Sequence, residues 1–79
     1  MYKVIRIERY INTVFRDDFV FDDRAEAEKF FGNECKRLEV VDVALYYCVP
    51  HRDGHELSRF VRNKAGKGTV RKQEGNKRK

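Results

Sequence analysis

The sequence has little of what announces a specialised small fold. It holds two cysteines, Cys35 and Cys48, in 79 residues, too few for the disulfide framework on which small secreted domains rely, so a reduced, cytoplasmic chain is expected. Its longest apolar run, Val43 to Pro50, falls far short of the roughly 20 residues a membrane-spanning helix needs. The opening residues, Met1 to Glu8, interrupt apolar positions with charge and offer no signal-peptide core. There is no internal repeat. There is no phosphate loop either: Gly66-Lys67-Gly68-Thr69 lacks the earlier glycine and the Ser or Thr directly after lysine.

Candidate chemistry is equally sparse. Cys35, Cys48, His51 and His55 are four soft ligands, but their spacing departs from structural zinc motifs, which pair cysteines closely. Asp17-Asp18 and Asp22-Asp23 are adjacent pairs, and on a strand adjacent side chains point to opposite faces, so neither makes a divalent-cation site. A Cys, His and Asp set for nucleophilic catalysis would need a pocket that so small a body has little volume to provide. The expectation is a protein that is not an enzyme and carries no metal or cofactor.

What the sequence does have is charge, unevenly placed. Residues 1–60 carry 10 Lys and Arg against 12 Asp and Glu, whereas residues 61–79 carry 8 against 1. The net charge of +5 therefore belongs to an appendage and not to the folded surface. All ten aromatics precede it. A single compact domain over residues 1–62 and a flexible basic tail over 63–79 follow from this division, since the tail has too few apolar groups to offset the entropy of ordering.

Within the body, residues 2–11 and 13–21 are rich in β-branched and aromatic types around Asn12, which reads as an antiparallel hairpin. Asp23 with Glu26 has the spacing of a helix N-cap and its reciprocal acid, and Ala27, Phe30, Phe31, Cys35 and Leu38 recur on one helical stripe. Glu34 is expected to face water, and Gly32 marks either a cost to the helix or a close approach to the sheet. Val40 to Val49 reads as a central strand stopped by Pro50. Asp53-Gly54 then suggests a hairpin that pairs residues 46–52 with 55–61, in preference to a short helix. The fold class is α+β, ββαββ, with one helix on one face of a four-stranded, largely antiparallel sheet.

One helix covers one face, so the other must meet solvent, a second copy or a ligand. If Ile5, Ile7, Val41, Val43, Leu45 and Tyr47 point to the helix, the open face shows Tyr2, Val4, Arg6, Tyr10, Ala44, Tyr46 and Cys48. It is joined by Val14, Arg16 and Val20 from the second strand and, by pairing Cys48 with Arg59 and Tyr46 with Val61, by those two residues. Tyr2, Arg6, Tyr10, Arg16, Tyr46 and Arg59 are the binding candidates there, since rings stack on bases and guanidiniums hold phosphates, while the same residue types anchor protein interfaces. Arg62, Lys64, Lys67, Arg71, Lys72, Lys77, Arg78 and Lys79 form the cationic candidates of the tail, suited to salt-sensitive phosphate contact. The partner expected is nucleic acid or an acidic or nucleoprotein complex, with no membrane. Alternatives are a small inhibitor or adaptor of the phage type, such as an anti-CRISPR-like protein that binds its target directly, and a homodimer.

Overall fold

The computed structural model describes residues 1–50, 54–63 and 65–72. It contains β1 (Tyr2–Arg9), β2 (Val14–Phe21), α1 (Arg24–Glu34), β3 (Val40–Tyr47), β4 (His55–Arg62) and β5 (Gly68–Lys72). The strands form one antiparallel sheet in the order β2-β1-β3-β4-β5. The class is α+β, with five strands and not four. The additional strand comes from the segment read as tail, where Thr69 and Val70 supply β-branched side chains and the Asn63 side-chain Oδ1 accepts from the N–H groups of Ala65 and Lys67 to build the turn. Gly66 completes that turn with φ +86°, a left-handed conformation that costs glycine nothing.

The first hairpin closes on Ile11 and Asn12, flanked by reciprocal bonds between the Tyr10 and Thr13 backbones. Asp23 caps α1 by accepting from the Glu26 N–H at 3.1 Å, as the acidic spacing predicts. Residues 55–62 are strand, in line with the hairpin reading, although the register differs. The chain leaves the β3–β4 ladder at Tyr47 and His55, and a bulge falls after Leu45, so Arg59 lies opposite Ala44 and Val61 opposite Asp42. Asp53, one half of the proposed turn, lies outside the described residues.

The core lies between α1 and the sheet and holds Val4, Ala27, Phe31, Val40, Val43, Leu45, Leu57 and Phe60. Phe30 extends it by packing on Phe19 and Phe21, with ring centroids 4.6 and 5.4 Å apart. Two helix assignments are corrected. Leu38 lies past the end of α1 and is 79% exposed, whereas Glu34, expected in water, is 7% exposed.

The larger correction concerns β1. Val4 is fully buried against the helix layer, Arg6 reaches Glu34 on α1, and Ile5 and Ile7 line the opposite face. Hydrophobicity alone favours turning the isoleucines inward. The even positions win because Tyr2 and Val4 fill the core while Arg6 and Glu8 find charged partners where the helix ends.

Arg62 completes the body. Its guanidinium donates to the carbonyls of Cys35 and Arg37 just past α1, to Val40 at the start of β3 and to Gly66 in the last turn. One side chain thereby satisfies helix-end acceptors that water would otherwise have to reach.

Two glycines make opposite predictions. A Cβ on Gly32 would meet nothing within 4 Å, so Gly32→Ala should raise stability by about 1 kcal/mol through helix propensity alone. A Cβ on Gly68 would stand 2.1 Å from the Phe60 ring, so Gly68→Ala should cost about 1–3 kcal/mol through overpacking. Urea denaturation of both variants checks the pair; equal effects would contradict the packing described.

Candidate functional site

Helix α1 packs over β3, β1 and β2 on one side of the sheet, and among the described residues no element covers the other side. Cross-strand pairing arranges that bare face in rows. Arg16, Ile7, Asp42, Val61 and Thr69 form one row, and Asp18, Ile5, Ala44, Arg59 and Arg71 the next; Val20, Lys3, Tyr46 and Glu56 form the third. Ile5, Ile7 and Ala44 share its central rows with Asp42 and Arg59, while Val14 and Val20 on β2 and Val61 on β4 are 58%, 56% and 45% exposed. Ala44, the smallest side chain among larger ones, floors a shallow depression of about 220 Å³ walled by Ile5, Ile7, Arg16, Asp42, Tyr46 and Arg59.

The charges on this face are largely answered from within. Arg59 donates to both Asp42 carboxylate oxygens at 2.8 and 2.9 Å, to Glu56 Oε1 at 2.9 Å and to the Tyr46 hydroxyl at 2.9 Å. Its partial burial opposes the charged form, but the bond to Glu56 and the charge of Asp42 outweigh this and lift its pKa above the ordinary arginine value. Arg16 holds Asp18 at 3.2 Å near the rim. Arg71 approaches Glu56 at 3.7 Å.

Three sheet-face candidates, Arg16, Tyr46 and Arg59, are brought together here, and three are not. Tyr2 packs on Tyr47 on the helix side, with centroids 5.3 Å apart. Tyr10 sits at the first turn against Phe15, 5.6 Å away. Arg6 belongs to a partly buried ionic cluster under the helix end, 2.7 Å from Glu34, 2.8 Å from Asp17 and 3.5 Å from Glu8, with its guanidinium 4.8 Å from the Phe19 ring centre. Burial works against its charge, yet the bonds to Asp17 and Glu34 hold its pKa above the usual value. Arg37 ties the same two glutamates at 2.7 and 3.0 Å. The open face therefore shows one aromatic ring in its central rows where several were expected, and sequence reading missed Ile5, Ile7 and Glu56 as its lining. The parity of β1 carried that signal, but it could be read either way.

The cationic candidates divide similarly. Arg62 is committed to the four carbonyls described above. Lys67 stands in the last turn, and Arg71 and Lys72 project from β5, all exposed. Lys64, Lys77, Arg78 and Lys79 lie outside the described residues.

A second groove, about 460 Å³, runs between α1 and β5 past Phe31, Gly32, Cys35, Leu45, Ser58 and Val70. Its floor residues Phe31, Leu45 and Ser58 are already buried, so little apolar surface remains there for a ligand to cover. Cys35 has its thiol pKa raised by burial despite the nearby Arg62, which makes it a poor nucleophile. Among the described residues no group of three or more His, Cys, Asp or Glu side chains could hold a metal ion, and no helix is long and apolar enough to cross a membrane. His51, one of the soft ligands considered, lies outside the described residues.

Arg6 and Arg16 provide a direct comparison, because they share β1–β2 pairing yet face opposite sides. Arg6→Ala leaves Glu8 and Glu34, at 6% and 7% exposure, with Arg37 as their remaining cation and should cost about 2–3 kcal/mol, whereas Arg16→Ala, at the exposed rim, should cost less than about 0.5 kcal/mol. Chemical denaturation of the two variants would show the difference, and comparable losses would place both arginines in one environment. Compared with known proteins, the chain matches no family model, and neither a curated protein nor a solved structure emerges as a relative.

Proposed function

We propose that this chain is a non-enzymatic binding protein of nucleoprotein complexes, in which the open sheet face docks on protein and the cationic C-terminal segment holds nucleic acid. The observation that carries the first half is the exposed aliphatic surface of Val14, Val20 and Val61, continued by Ile5, Ile7 and Ala44, whose neighbouring charges are already paired within the chain. Exposed aliphatic side chains among charges already paired suit a protein partner, which then desolvates neutralised pairs and not bare ions. Base stacking fits this face less well, because Tyr46 is the sole aromatic of its central rows and Arg59 is already bonded to carboxylates. Those guanidinium donors are not available to phosphate.

The second half rests on position. Lys67, Arg71 and Lys72 line the last turn and the edge strand, and Lys77, Arg78 and Lys79 follow in sequence. Three cations at the C-terminal edge of a nearly neutral body, with three more following in sequence, supply sequence-independent attraction to phosphate with counterion release. Direct capture of a protein target, as a small inhibitor or adaptor would do, is the second reading, and it is favoured by the same aliphatic face. In that case the cations steer approach to an acidic surface.

Fluorescence anisotropy with a single-stranded oligonucleotide tests the proposal. Affinity should fall at least about tenfold between about 50 and 200 mM salt, and removing residues 73–79 should lower the slope of log affinity against log salt by about 2. Cutting at residue 72 keeps β5, whose loss would expose the edge of β4. Binding indifferent to both treatments would exclude nucleic acid and leave the direct protein reading.

A further inference from the structure

We infer that the protein docked on the open face is a second copy of this chain, related to the first by a two-fold axis that runs along β3 past Ala44. This rests on reading that face as a protein-docking surface. A two-fold so placed exchanges β1 with β4 and β2 with β5 while returning each cross-strand row to its own level. The rows then meet in complementary order. Asp18 comes opposite Arg71 of the second copy, Lys3 opposite Glu56, and Ile7 opposite Val61, and each pairing occurs twice by symmetry.

The axis passes over Asp42, Ala44 and Tyr46 of β3, and its least bulky point is Ala44. Ala44 faces its own counterpart, which lets the two β3 strands approach, and sheets packed face to face with strands within about 30° of each other are the common aligned arrangement. The two Asp42 carboxylates also approach the axis. Each arrives already chelated by its own Arg59 through two oxygens, so a neutralised pair, not a bare charge, is what the interface desolvates. Five strands of up to eight residues, spaced about 4.8 Å apart with a rise of about 3.3 Å, give a footprint of roughly 500 Å² per copy and about 1,000 Å² in all, enough for a specific but reversible dimer.

The arrangement has a consequence for the cationic segments. Because β5 of one copy lies over β2 of the other, the two basic edges stand on opposite flanks of the dimer. With Arg71 engaged at the interface, Lys67, Lys72 and the cations that follow in sequence would give the dimer two phosphate-binding segments for one nucleic acid, with affinity gained by linkage and no new contact.

Sedimentation equilibrium of the full chain tests this, since a weak dimer dissociates on dilution between about 200 and 1 µM. Asp18→Arg alone and Arg71→Asp alone should each weaken self-association by about tenfold, as two rim pairs are lost and replaced by repulsion. Combining Asp18→Arg with Arg71→Asp should restore it. Both positions are solvent-exposed or at the rim, and circular dichroism of each variant checks that the fold persists. Lys3→Glu combined with Glu56→Lys repeats the exchange at the second pair. A chain monomeric at every concentration overturns the inference, as does a dimer that ignores the single reversals or is not restored by either exchange. A monomer whose oligonucleotide binding keeps its salt dependence would overturn the dimer and leave the binding reading standing.

Discussion

The ionic cluster around Arg6 decides which way the sheet faces. Its guanidinium lies under the end of α1 and is held by Glu34, Asp17 and Glu8, while Arg37 closes the cluster from beyond the helix. A strand presents alternate residues to opposite faces, so fixing Arg6 inward also fixes Tyr2, Val4 and Glu8 inward and sends Lys3, Ile5 and Ile7 outward. The aliphatic character of the open face is thus a consequence of an ion cluster on the other side. Removing one partner from such a cluster is more damaging than the net contribution of the intact cluster would suggest, because the remaining buried charges lose their compensation.

Arg62 plays the matching part at the other end of the sheet. By donating to carbonyls at the close of α1, the start of β3 and the last turn, it joins three connections that carry little apolar surface of their own. It also anchors the turn that leads into β5, and with that strand the cationic edge. A residue counted from sequence among the phosphate-binding charges therefore works inside the fold, and the exposed cations that flank it inherit a defined position. Structure and charge are separated by a few residues along one strand and its turn.

Much of the architecture was legible in the sequence because local chemistry and global packing agree there. Asp23 and Glu26 mark the helix start, Asn12 the first turn, and the valines of β3 the central strand. The fifth strand was hidden because its five residues are all exposed, so no buried face imposes an apolar alternation that a reader could see. The site was less legible. In β1 the apolar groups Val4 on one parity and Ile5 and Ile7 on the other are nearly balanced, and the choice depends on partners for Arg6 that come from residues 17 and 34, which no local pattern reveals. The β3–β4 register was concealed for a related reason: the bulge after Leu45 and the departure of the chain at Tyr47 move Arg59 beside Ala44, where a two-residue turn would have set it beside Cys48.

The central claim is that β1 turns its isoleucines away from the helix, and nuclear Overhauser contacts from the Ile5 and Ile7 methyl groups measure this most directly. The account predicts cross-peaks to Ala44 and to the Tyr46 ring, which share the open face with them, and none to Ala27 or Phe31. Cross-peaks from those methyls to Ala27 and Phe31 would put the isoleucines in the core and contradict it.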